Sequence, residues 1–117
     1  ILYEAPAVPT TGVDFLYRGI VTQALTADPT AAIDTVNNTV TIAWTRVGTG
    51  SYLATVSGTF TPLTNNNMFV LFGKTANVII KANWASSSTF TVVSADSTNT
   101  PADSLIDHVP FQLSILT

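Results

Sequence analysis

The chain has 117 residues, no cysteine, a net charge of −3 and only 9% charged residues. This length suits one domain that buries a core without covalent staples, and the missing cysteines exclude a disulfide framework or a cysteine-rich zinc site. The four basic residues, Arg18, Arg46, Lys74 and Lys81, are scattered, so no patch neutralises several phosphates at once, and no apolar run approaches the roughly 20 residues that span a bilayer; neither nucleic acid nor membrane is expected as a partner.

Residues 1–14 read as an extended arm or linker, and residues 15–117 as a single β-sandwich domain. Pro6 and Pro9 remove backbone donors and favour extended backbone. Ile1, Leu2, Tyr3 and Val8 are apolar side chains for which a solvated tail has no use, so they are candidates for contact with a neighbouring subunit. The segment has no basic region followed by an apolar one, as a signal peptide would. It begins without methionine, which points to processing or to a longer polypeptide.

A first strand is expected over 15–22, with apolar residues on both faces at its start, including Leu16. Asp28-Pro29 signals a turn. The stretch 31–36 suits a short strand or a helical turn capped by Asp28 or Thr30. Asn37-Asn38 makes a turn, because asparagine tolerates left-handed backbone. The clearest pattern covers 39–60. Val40, Ile42, Trp44 and Arg46 alternate with Thr39, Thr41, Ala43 and Thr45, which is the period of a strand. Gly48 and Gly50 supply the positive φ of a tight hairpin, and a second alternating run fills 52–57.

Beyond a loop around Pro62 and Asn65-Asn66-Asn67, the stretch Met68, Phe69, Val70, Leu71 and Phe72 is continuously apolar, as in a strand buried on both faces. Met68, Phe69 and Leu71 join Leu16 as candidates for a subunit contact. Further strands are expected over 77–84, with Val78, Ile80, Ala82 and Trp84 on one face, over 89–95, with Phe90 and Val92 on one face, and over 110–117, with Phe111, Leu113 and Ile115 inward. About eight short strands between turn signals, with no convincing helix, indicate an all-β, antiparallel β-sandwich. A jelly-roll-like order is preferred, because the first and last strands are both strong and can pair in one sheet.

The chemistry-bearing residues are few. His108 is the one histidine, with Asp107 beside it and Asp103 and Asp96 nearby. No Gly-x-Ser-x-Gly elbow accompanies it, and a role in capping the loop before the last strand outweighs a catalytic one. The three aspartates lack the alternating spacing of a calcium loop, and paired carboxylates for glycoside hydrolysis are weaker still. There is no phosphate-cradling glycine loop, so no cofactor or metal is expected. Trp44, Trp84, Tyr3, Tyr17 and Tyr52 could form a sugar-stacking platform, but the apolar company of both tryptophans favours the core. Arg46 is expected at the rim or paired with Asp34 or Asp107. Asn37-Asn38-Thr39 matches a glycosylation sequon.

Phe15-Leu16-Tyr17-Arg18-Gly19, the run from Arg46 through Tyr52 into Ala54-Thr55-Val56-Ser57-Gly58-Thr59-Phe60, and Asp103-Ser104-Leu105-Ile106-Asp107-His108-Val109-Pro110-Phe111 together resemble small β-sandwich modules of tailed-phage structural proteins. The layout is also similar to trimeric C1q/TNF-like jelly rolls. The resemblance implies a non-enzymatic head-fibre, spike, tail-fibre or decoration domain on the virion surface. Its partners would be copies of itself, as a homotrimer, other virion proteins such as capsid or fibre subunits, and host surface glycans. Two other readings suit the residues: a secreted or cell-surface carbohydrate-binding module, and a pilin-like filament subunit completed by strand addition.

Overall fold

The computed structural model describes residues 13–33, 38–73 and 77–116. It is all β, with eight strands: β1 (Val13–Thr22), β2 (Thr30–Ile33), β3 (Val40–Gly48), β4 (Ser51–Gly58), β5 (Met68–Phe72), β6 (Val78–Trp84), β7 (Thr89–Asp96) and β8 (Val109–Leu116). They form two four-stranded sheets of order β2-β1-β8-β5 and β3-β4-β7-β6, with every pairing antiparallel. The first and last strands pair at the centre of one sheet and β4 pairs with β7 at the centre of the other. This is the jelly-roll-like sandwich expected from the turn spacing and from the strength of the first and last strands. The stretch 31–36 contributes strand β2, and residues 34–37 lie outside the described set.

The period-two pattern sets which side chains meet between the sheets. Tyr52, Ala54 and Val56 of β4, Phe90 and Val92 of β7, and Phe111, Leu113 and Ile115 of β8 are all buried. Phe111 is the hub of the aromatic packing. Its ring centroid lies 5.8 Å from that of Tyr17, 5.2 Å from Trp44, 5.2 Å from Phe72 and 6.0 Å from Phe90. These are separations at which offset and edge-on rings attract beyond simple burial. Two loop residues plug the ends of the sandwich: Leu63 after β4 and Ile106 before β8, each 1% exposed.

Two expectations need correction. Met68–Phe72 is not buried on both faces. It alternates, with Phe69 and Leu71 exposed and Met68, Val70 and Phe72 turned to the core, because among the described residues no further layer covers that side of its sheet. In β1 the strict alternation from Phe15 fails. A register shift between Phe15 and Tyr17 inserts one residue, so consecutive Leu16 and Tyr17 both enter the core, as a β-bulge allows.

Replacing Phe111 with alanine removes the ring that four other aromatic side chains touch, and should cost about 3–5 kcal/mol of unfolding free energy. Urea denaturation of F111A and of the surface variant T55A checks this. The exposed-face change should stay within about 0.5 kcal/mol, and a loss below about 1 kcal/mol for F111A would contradict the packing described.

Candidate functional site

Strand directions place one set of turns together at the end of the sandwich where β1 finishes and β8 begins. There the side chain of Asp103, from the loop between β7 and β8, collects three groups of the β3–β4 hairpin. Arg46, at the end of β3, donates from Nε at 3.2 Å to both carboxylate oxygens and from its terminal nitrogen at 2.8 Å to Oδ2. The Gly50 amide donates to Oδ1 at 2.9 Å. The Tyr52 hydroxyl stands 2.9 Å from Asp103 Oδ1 and 2.8 Å from Gln23 Oε1, its one proton shared between two acceptors. Gln23 is buried. Its Oε1 also accepts from the Ser104 amide at 2.8 Å, and its Nε2 donates to the carbonyls of Leu25 and Ala27.

Why these residues converge follows from the strands. Arg46 and Tyr52 are register partners on the inward faces of β3 and β4, just past the last apolar layer, so both point towards the interior where it opens to the loops. Gly50, at φ +65°, makes the intervening turn. A Cβ there would stand 2.5 Å from the Ser94 carbonyl oxygen and 2.7 Å from the Ala102 nitrogen, so only glycine lets the hairpin tip seat against the 97–108 loop.

The electrostatics are those of a closed cluster. The Arg46 guanidinium, together with the Gly50 amide, holds the Asp103 carboxyl well below the usual carboxylate range, and Asp103 in turn raises Arg46. Burial, then the hydrogen bond to Asp103, pushes Tyr52 up to about 12. Both Asp103 oxygens, the Tyr52 hydroxyl and both ends of the Gln23 amide are engaged within the protein. The cluster ties loops together and presents no free group of intermediate pKa to a substrate.

The other sequence candidates do not assemble. Arg46 pairs with Asp103 and not with Asp107, because the hairpin tip seats against the middle of the loop, at Ala102 and Asp103. Asp34 lies outside the described residues. Asp96 accepts from the Thr98 amide, the Thr98 hydroxyl and the Thr100 amide and so closes its own turn. Asp107 Oδ1 lies 2.7 Å from His108 Nδ1, with both side chains well exposed. His108 adopts φ +53° and its amide donates to Thr22 Oγ1. Among the described residues no group of three or more acidic, histidine or cysteine side chains is placed to hold a metal. Of the aromatic set, Tyr17, Tyr52 and Trp44 are core residues. Trp84, expected in the core, is 43% exposed at the end of edge strand β6, its indole nitrogen donating to the Leu63 carbonyl at 3.0 Å. Tyr3 lies outside the described residues.

The contact candidates divide in the same way. Ile1, Leu2, Tyr3 and Val8 lie outside the described residues, Leu16 is in the core with 4% exposure, and Met68 is half-buried against it. Phe69 (44% exposed) and Leu71 (59%) stand on the outer face of the β2-β1-β8-β5 sheet. Register extends that face. Phe15, Ser114 and Phe69 form one cross-strand row, Arg18, Gln112 and Leu71 the next, and Ile20 and Pro110 the next. Ile20 and Leu116 are exposed as well, so four of the eight exposed large apolar side chains among the described residues share this face. The Arg18 guanidinium lies 4.9 Å from the Phe15 ring centroid, and Ser114, buried between rows, accepts from Gln112 Nε2. The opposite outer face is different in kind. Its rows read Ser51, Val93, Lys81, then Thr45, Leu53, Thr91, Asn83, then Ala43, Thr55, Thr89, a largely hydroxyl-bearing surface with one lysine. Comparison of the chain with family profiles, with curated proteins and with solved structures yields no match.

The pH dependence of the cluster follows from the two shifts. Because Asp103 titrates lower in the folded chain than in the unfolded one, its contribution is present above about pH 4 and is lost as pH falls through the folded value. Asp103→Asn should lower stability at pH 7 and flatten the acid limb of the stability–pH curve. Tyr52 is raised, so its contribution holds below about pH 10 and fades as pH rises towards about 12; Tyr52→Phe should remove that alkaline loss and cost about 1–2 kcal/mol at neutral pH. Denaturation midpoints between pH 2 and 11 test both, and an Asp103→Asn curve parallel to that of the parent would refute the role of the carboxylate.

Proposed function

We propose that this chain is a non-enzymatic structural module that assembles as a homotrimer through the outer face of its β2-β1-β8-β5 sheet. A virion fibre or decoration domain is the setting that matches this reading best. One observation carries it: the two outer faces of one sandwich differ in chemistry. Contiguous exposed apolar surface on a folded domain marks an interaction site, and here Ile20, Phe69, Leu71 and Leu116 share one sheet face. The occupant is a second copy. Among the described side chains of this face the charged one is Arg18, laid over Phe15, so three copies can converge on this face around one axis without a ladder of like charges. Obligate homo-oligomer interfaces have this apolar character. The threonine-rich face then remains outward, and contact with a host surface glycan, if the module makes one, falls to that face. The internal engagement of the Asp103 cluster supports the non-enzymatic part of the reading.

Light scattering of the purified chain should return the mass of three 12.4 kDa units. The double variant F69K/L71E should be a folded monomer with an unchanged circular-dichroism spectrum, since both side chains are solvent-facing in the single chain. A parent chain that is monomeric at tens of micromolar, or a double variant that keeps the parent's mass, would overturn the proposal.

A further inference from the structure

The end of the sandwich opposite the Asp103 cluster is built differently. There the sheets part over an apolar cleft of about 640 Å³ walled by Phe15 and Phe60. Past Phe60 the same loop reaches the corner of the β3-β4-β7-β6 sheet, where Trp84 ends edge strand β6 and donates its indole N–H to the Leu63 carbonyl at 3.0 Å. Leu63 is itself fixed. Its side chain is 1% exposed and its amide donates to the Ser87 carbonyl at 2.8 Å. The flanking turns are closed by their own bonds: the Thr64 amide to Asn67 Oδ1, Asn67 Nδ2 to the Pro62 carbonyl, and the Ser86 and Thr89 hydroxyls to each other. Trp84 is thus held by its one polar side-chain atom. The rest of that side chain is carbon, on a residue 43% exposed.

We infer that Trp84 is the stacking platform for one neutral sugar ring of a glycan. The inference rests on the host-surface part of the reading above for the source of that glycan, while the site itself lies within one chain, at a corner of the sheet that the trimer leaves outward. Rigidity, neutrality and the surrounding polar groups select this ligand. An aromatic ring already fixed in place costs little to order on binding. The segments 51–73 and 82–95, which form the strands and turns around it, contain no charged residue, so they offer no counter-charge to a phosphate, a carboxylate or an ammonium group. Beside the anchor, Ser87, Thr64, Asn65 and Asn66 are exposed and carry hydroxyl and amide groups. A pyranose presents the complement, with C–H groups on one face and hydroxyls around its edge. The number of rings points the same way. Among the described residues the other exposed aromatic side chain, Phe69, stands on the other sheet. A proline-rich peptide is recognised in a groove lined by several aromatics, whereas one sugar needs one ring.

The chain has two tryptophans, so a proton–nitrogen NMR spectrum of the full chain holds two indole signals, and Trp44, buried in the core, is the internal reference. A panel of neutral saccharides built on glucose, galactose, mannose and N-acetylglucosamine is titrated to tens of millimolar. At least one should move the Trp84 signal saturably and leave that of Trp44 in place. Trp84→Ala, checked for an unchanged fold by circular dichroism, should weaken that binding by about tenfold, and Trp84→Phe, which keeps a ring, by less. The absence of a saturable shift across the panel overturns the inference, and so does binding that survives Trp84→Ala. A proline-rich peptide that saturates the Trp84 signal where no sugar does overturns it as well. The F69K/L71E variant separates the two readings, because its sugar titration should match the parent's. A trimeric parent that binds no sugar overturns the inference alone, and a monomeric parent that binds sugar through Trp84 overturns the trimer alone.

Discussion

A β-sandwich made of two separate sheets has to be closed at its ends by loops, and loops carry backbone groups that are costly to leave unpaired. At one end this chain solves the problem with a single carboxylate. Asp103 draws together the guanidinium of Arg46, the amide of Gly50 and the hydroxyl of Tyr52, and Gln23, through the same hydroxyl, extends the network to Ser104, Leu25 and Ala27. The segments thus joined are the β1–β2 loop, the β3–β4 hairpin and the β7–β8 loop, which belong to different sheets. Tyr52 belongs to both systems: its ring is in the core and its hydroxyl is in the network. Packing of the sheets and ordering of the loops are therefore coupled through one residue.

The two ends and the two faces together give the module a direction. The Asp103 end is sealed with polar groups satisfied internally, and the opposite end keeps an apolar cleft open. One sheet presents threonine rows outward and the other presents Ile20, Phe69, Leu71 and Leu116. A domain with only 9% charged residues has little electrostatic repulsion to keep copies apart. In the proposed assembly the distribution of apolar surface then sets which sheet is covered, and the asymmetry of the faces selects the one bearing Phe69 and Leu71.

Much of the fold was legible because it follows from alternation. Val40, Ile42, Trp44 and Arg46 share an inward face as their spacing requires, and Phe111, Leu113 and Ile115 do the same in β8. What alternation could not show is where it breaks. Nothing in Phe15-Leu16-Tyr17 marks the bulge that sends two consecutive side chains inward. Nor does the composition of Met68–Phe72 tell an edge strand from a central one, because a run apolar on both sides has the same letters whether its second face meets a layer, a subunit or solvent. The Asp103 cluster was half visible. Arg46 stood out as a charge on the Trp44 face, to be placed at the rim or against Asp34 or Asp107, and the acid it meets, Asp103, was not singled out for it. The choice was made by the hairpin tip, through the Gly50 contact with Ser94 and Ala102. Gln23 carried no signal, since a buried glutamine is recognised only by its partners.

Strand addition and face-to-face packing are the two ways in which a sandwich of this kind can build an assembly, and the edges distinguish them. Beyond the end of β2, the backbone of β1 is covered by Asn38, whose side chain accepts from the Arg18 amide and donates to the Arg18 carbonyl like a residue of an adjoining strand. The Thr39 amide then bonds the Leu16 carbonyl at 3.0 Å. On β3, Asp28 Oδ1 accepts from the Arg46 amide at 2.7 Å, and the register shift between Arg46 and Gly48 distorts what remains. Side chains that mimic a strand, together with bulges, are the devices by which proteins block edge-to-edge pairing, and here they occupy the side where β2 and β3 meet. On the other side β5 has only five residues, and β6, though longer, carries Lys81 mid-strand, another such device. An incoming strand therefore meets covered ladder groups at the β1 and β3 edges and a short or charged strand at the other two, whereas among the described residues nothing covers the apolar face between them, which supports assembly through the face over assembly through the edge.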